Sequence, residues 1–255
     1  MGNQKIVLKT LIFAALLLVS FEAQAQILNI ESFRIKTDTT GWAGYVGLNI
    51  SLTKNTKQLT NIGSKAHVQY KSGKNLILLL SQYNLLSSGQ TDLIDKMVLH
   101  LRYNYKLTPK IATEFFLQGQ KNSISKIDFR GLAGSGLRFK LSNQKKFKYY
   151  LGSTAMFEYE RTAFGDTERH WRWSNYFSFT VFPADNFSIV STSYFQPVFT
   201  NFSDYRISSQ NAIYFKMTTR LSFKTAFNYN YDSTPVMGVP KEQYNLSSGI
   251  VYNFK

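Results

Sequence analysis

The sequence predicts an all-β fold: a 12-stranded antiparallel transmembrane β-barrel preceded by a cleaved signal peptide. Three observations predict it. The chain opens on a short apolar leader. The rest repeats a period of 2 in polarity, the signature of strands with one polar and one apolar face. The repeats run about 11–16 residues, whereas strands in soluble sheets run about 5–6 and a tilted membrane strand needs about 9–11.

Composition narrows the field. The chain has 255 residues, no Cys, 16% aromatic and 18% charged residues. Without Cys there are no disulfide scaffolds, thiol nucleophiles or Cys-based zinc sites. The aromatic content excludes intrinsic disorder. A mean hydropathy of -0.22 is too low for a bundle of membrane helices. Alternating barrel strands average near neutral, so a barrel fits that value.

Residues 1–25 form the leader. Lys5 and Lys9 precede the apolar run Thr10–Phe21, and Ala23-Gln24-Ala25 is a small-x-small cleavage site. This is the pattern of a secretory signal peptide, with the mature chain beginning at Gln26. A membrane anchor would need about 20 apolar residues. Residues 26–40 form a segment placed in the periplasm or the lumen, and the barrel occupies 41–255.

The strands run in order near 41–53, 60–72, 75–86, 94–107, 111–121, 127–142, 147–161, 168–182, 187–197, 205–217, 220–231 and 243–254. In the first, Trp42, Gly44, Val46, Leu48, Ile50 and Leu52 share one face. In the fourth, Met97, Leu99, Leu101, Tyr103 and Tyr105 alternate with Lys96, Val98, His100, Arg102 and Asn104. The third and ninth alternate least regularly. Tight turns rich in Gly, Pro, Asn and Asp are expected at 72–75, 107–110, 142–145, 183–186 and 218–220. The other connections read as longer: 87–93, 122–126, 161–167, 198–204 and 232–242. Short turns at one end and longer loops at the other is how outer-membrane barrels are built. In the last strand Tyr244, Leu246, Ser248, Ile250, Tyr252 and Phe254 share a face beside the C-terminus. This resembles the strand signal that barrels present to their assembly machinery.

Charge decides which face meets lipid. A Lys or Arg on the lipid side near mid-bilayer costs about 2–4 kcal/mol, so the charged face points inward. The inward basic residues are Lys65, Lys71, Lys96, Arg102, Lys106, Arg130, Arg138, Lys140, Lys148, Arg172, Arg206, Lys216 and Lys224. The inward acidic residues are Glu114, Asp128, Glu158 and Glu160. Basic rings favour anions in a pore. Alternatively, the long cations cross-link to the acids and plug a lumen of intermediate strand number. Basic residues near the rims, among them Lys74, Lys110, Lys145 and Lys146, are placed to contact anionic head groups.

Several stretches together resemble the DUF481-type outer-membrane proteins, the group that includes the salt-induced barrels, in their Bacteroidota form. They are Asn29-Ile30-Glu31, Thr37–Gly44, His67–Lys71, His100–Asn104 and Lys126–Arg130 followed by Gly131–Gly136. The resemblance covers residues 27–255 and implies an outer-membrane barrel. It carries no catalytic residues.

No constellation carries chemistry by itself. His67, His100 and His170 fall on three strands and read as lumen residues, with no metal or other cofactor expected. Glu158 and Glu160, with Asp166 and Glu168 beyond, are the acidic cluster that a rim hydrolase would use; a salt-bridged wall explains them as well. The net charge of +15 points to nucleic acid in a soluble protein. Here it is spread by strand phase behind a signal peptide, so no nucleic-acid partner is expected. The expected partners are outer-membrane lipids and lipopolysaccharide, and the assembly machinery through the last strand. The chain is expected to be a monomer in the outer membrane. It reads as a narrow channel for small polar or anionic solutes, with a non-conducting envelope-stress barrel and an outer-membrane hydrolase as alternatives.

Overall fold

A computed structural model describes residues 40–54, 57–89, 91–218 and 221–252. The stretch 1–25 read as a signal peptide, residues 26–39 and Phe254 lie outside them. The described chain forms β1 (Gly41–Lys54), β2 (Gln58–Ser72), β3 (Asn75–Ser88), β4 (Thr91–Lys106), β5 (Ile111–Asn122) and β6 (Ile127–Asn143). It continues through β7 (Phe147–Thr162), β8 (Thr167–Ala184), β9 (Phe187–Val198), β10 (Asn201–Lys216), β11 (Leu221–Asp232) and β12 (Glu242–Tyr252). These are one 12-stranded sheet in sequence order, and the ladders between neighbours are antiparallel. Among the described residues β1 pairs with β2 and β12 with β11, and no ladder joins β1 to β12.

The sheet is curled. Arg206 on β10 bonds Glu158 on β7, and Tyr176 on β8 bonds Glu114 on β5. Adjacent strands lie about 4.8 Å apart, so partners three strands away would sit roughly 14 Å apart on a flat sheet. Only a concave face brings such side chains together.

Polarity is inverted relative to a soluble protein, where charged side chains are almost never fully buried. The concave face buries Arg102, Arg130, Arg172 and Arg206 at no more than 5% exposure. The convex face exposes Leu117, Phe129, Leu137, Leu151, Trp171, Trp173, Phe177, Phe223 and Phe227. The strand phases expected from the alternation account for both sets. An apolar cluster on the concave face is small, Leu78 and Leu80 with Val98 beside them. It lies in β3, whose alternation is irregular because its inward positions are themselves apolar.

The expected contrast between short turns and long loops largely disappears. The 87–93 and 198–204 connections shrink to 89–90 and 199–200. Their polar residues extend the ladders instead. Ser87 Oγ donates to Asp92 Oδ1 at 2.7 Å beside a bulge at Leu86/Ser87. A second bulge between Asn201 and Tyr205 absorbs the extra residues of β10, opposite Pro197, which has no N–H to give to a ladder. Residues 233–241 remain a long connection. Lys126 Nζ donates to Met237 O at 2.9 Å, so this loop reaches the β5–β6 connection, and the loop's own Val239 is buried.

Glycine makes room for one crossing of the concave face. The ring of Tyr176 passes over Gly152, where an added Cβ would lie 2.0 Å from Cε1. Beyond it, an added Cβ at Gly136 would meet the backbone oxygen of Ser153 at 2.1 Å. Gly152→Val is therefore expected to displace Tyr176 from Glu114 and cost about 1–3 kcal/mol by overpacking. Urea unfolding of the refolded chain, read by heat-modifiable gel mobility, checks it.

Candidate functional site

The concave face divides into three zones along the strands. The first lies toward the 233–241 loop. Glu158 on β7 is its hub and contacts three arginines from three strands. Arg130 Nε lies 3.0 Å from Glu158 Oε1, and Arg172 and Arg206 both bond the same carboxylate. Each arginine has a further acid. Arg130 Nε donates to Glu160 Oε2 at 2.6 Å. Arg172 Nη1 donates to Asp204 Oδ1 at 2.9 Å. Arg206 Nε donates to Asp232 Oδ2 at 2.8 Å, its cross-strand neighbour in register. Three arginines thus face four carboxylates, and the zone is nearly neutral. Burying an ion costs several kcal/mol, which is recovered only where its partners and remaining hydrogen bonds are well placed. Shared carboxylates meet that condition here.

The second zone is the middle. Glu114 on β5 lies 3.5 Å from Arg102 Nη1 and 3.8 Å from Arg138 Nε, and accepts from Tyr176 Oη at 2.9 Å. Arg138 stacks on Tyr150, its Cζ 3.8 Å from the ring centroid. His100 Nδ1 and Gln118 Oε1 are 2.9 Å apart beside them. Between these two zones lies a cavity of about 40 Å³, lined by Arg102, Glu114, Arg130, Glu158, Tyr176 and Arg206 among others. A water needs about 10–15 Å³ of such space, so it holds roughly three.

The third zone lies toward the short turns. A cavity of about 320 Å³ is lined by residues from β2 through β9. Seven are basic: Lys71, Lys74, Lys106, Lys110, Arg138, Lys140 and Lys148. No carboxylate is among the described residues that line it. Thr108, Ser178, Thr180, Tyr150, Asn75 and Asn104 add neutral hydrogen-bonding groups.

The sequence-derived residues therefore separate. Arg130, Arg172, Arg206, Glu158 and Glu160 meet in the first zone, and Arg102, Arg138 and Glu114 in the second. Lys71, Lys106 and Lys140 join Arg138 in the third. Lys65 keeps the inward phase but is exposed opposite Gly47. Lys216 is exposed at the end of β10, and Lys224 lies 5.7 Å from the Tyr214 ring.

Asp128 departs from the inward position that strand phase assigns it. A bulge between Ile127 and Phe129 breaks the alternation, so Ile127 is buried and Asp128 turns away. Its carboxylate pairs with the half-exposed Arg161 at 2.6 Å. Lys74 and Lys110, read from the sequence as rim residues, line the third zone. Glu168 and His170, 3.4 Å apart, are the cross-strand neighbours of Glu160 and Glu158 on β8, but their side chains stay partly exposed while those two acids are buried. Among the described residues no three His, Asp or Glu side chains gather as a metal site. Asp204 and Asp232 are network residues that polarity alone assigns to loops. Their signal is the arginine phase opposite them.

The chain is similar to the NanC porin in a rhombohedral crystal form, at 10% identity over 82% of this chain and all of that one, with a TM-score of 0.47. It is also similar to OccK11 (OpdR) of Pseudomonas aeruginosa, at 9% identity over 83% of this chain and 79% of that one, with a TM-score of 0.39. No curated protein matches the sequence. The family described as "Protein of unknown function, DUF481" matches residues 46–254. The chain belongs to the DUF481 family.

Proposed function

We propose that the chain is an outer-membrane β-barrel forming a narrow channel for small anionic solutes, constricted at its middle and wide at the short-turn end. The reading rests on one observation above all: the basic cavity, with seven cations and no described carboxylate lining it. Basic rings lower the entry barrier for anions and raise it for cations. The inverted polarity supports the membrane setting, because a lipid-facing wall must be apolar and its charges must turn inward. The strand lengths of 11–18 residues suffice to span. No chemical step is part of this function.

The near-neutral ion-pair layer and the 40 Å³ cavity beside it favour a second reading, a barrel that does not conduct at rest. Conductance of the refolded chain from residue 26 onward, in a planar bilayer under a salt gradient, separates the two. Small discrete steps with the reversal potential displaced to the anion side are expected. A folded, heat-modifiable barrel without steps supports the closed reading. Charge reversal at Lys106 and Lys148 is the informative variant, because Arg130 is already neutralised by Glu158 and Glu160.

A further inference from the structure

We infer that the basic cavity at the short-turn end is a binding site for a solute carrying several phosphate-type charges. The inference deepens the proposed channel by naming what its wide end holds, and it rests on that end being open to solvent.

The seven cations come from four strands and two turns that the curl brings around one space of about 320 Å³. Low-dielectric walls lined by one sign of charge focus the field within. The Debye length is about 8 Å at physiological ionic strength, so charges sharing one cavity are only partly screened from each other. An anion bound among them relieves that repulsion, and the relief grows with its charge. A single carboxylate or halide would relieve little of it.

The kind of cation narrows the chemistry. Six of the seven are lysines, compact charges with three rotatable donors that suit phosphate oxygens. The planar fork that selects carboxylates belongs to Arg138, and that guanidinium is already stacked on Tyr150 and close to Glu114. Ser178, Thr180 and Thr108 hydroxyls lie in the same wall and can donate to further oxygens. Arg138 lines the cavity and lies 3.8 Å from Glu114 of the middle layer, so a bound polyanion would rest beside the constriction instead of passing straight through.

The test is calorimetric titration of the refolded chain in zwitterionic detergent with tripolyphosphate, inorganic phosphate and citrate. Tripolyphosphate is expected to bind one site at least tenfold more tightly than inorganic phosphate and more tightly than citrate. The triple variant Lys106→Gln, Lys110→Gln and Lys148→Gln should lose at least tenfold in affinity. The pair Lys145→Gln and Lys146→Gln, in the neighbouring turn and outside the cavity, should lose little. Heat-modifiable mobility verifies that each variant is folded, and tripolyphosphate should raise the melting temperature of the unsubstituted chain by mass action. Absence of saturable binding, tighter citrate binding, or equal losses in the two variants would overturn the site. Binding without conductance would leave the site standing and remove the channel; conductance without binding would do the reverse.

Discussion

Glu158→Gln is expected to destabilise the refolded chain by about 3–5 kcal/mol, the usual cost of breaking a buried ion pair from one side. The substitution keeps the shape and removes the charge that three arginines share. Arg130 retains Glu160, Arg172 retains Asp204, and Arg206 retains both Glu160 and Asp232. Glu160 still ties Arg130 on β6 and Arg206 on β10 to β7, so the ion pair to β7 that is lost outright is that of Arg172 on β8, and the other two arginines are each held to β7 by one carboxylate in place of two. The amide of Gln also turns an N–H₂ toward guanidinium donors, leaving buried donors facing each other. The control is Asp128→Asn. Its pair with Arg161 is also short, at 2.6 Å, yet the two side chains are 42% and 51% exposed. Solvent-exposed pairs contribute about 0.2–1 kcal/mol, so this variant should unfold close to the parent. Urea titration followed by gel mobility and tryptophan fluorescence measures both. Equal losses in the two variants would refute the buried hub.

The contrast between these two acids also marks how far a one-dimensional reading can reach. Strand phase assigns a face, and it places Glu158 and Arg206 on the concave one. Phase does not say which inward residues meet. Arg206 and Glu158 are three strands apart, and only the curl of the sheet joins them. Phase also fails at bulges, where one added residue inverts the facing on one side of it relative to the other. That is how Asp128 leaves the interior. Asp204 and Asp232 sit in polar runs that resemble loops, and they become network members because the ladders of β10 and β11 continue through polar residues. The basic excess is legible as a total. Its division is not: the arginines mostly find acids, and the lysines gather at one end. Arg138, shared by the middle layer and the basic cavity, shows how fine that division is.

The double variant Glu158→Ala with Arg206→Ala is expected to raise single-channel conductance at least severalfold while costing less stability than the two single changes added together. Removing one acid and one base leaves the interior charge unchanged, so any change in conductance reports the opening of space. The two side chains both line the 40 Å³ cavity and bridge β7 to β10 across the concave face. Truncating both extends that cavity toward the 233–241 loop. Arg130 keeps Glu160 and Arg172 keeps Asp204, so no guanidinium of the layer is left without its acid. Asp232, which is buried and loses Arg206, still accepts from Thr234 N at 3.1 Å. Residues in direct contact couple by about 0.5–3 kcal/mol, which is the expected shortfall from additivity. Planar-bilayer recording and the same urea titration test the two halves separately. A double variant that conducts no more than its parent would move the constriction to the Glu114 and Tyr176 layer, where the ring of Tyr176 over Gly152 sets the width.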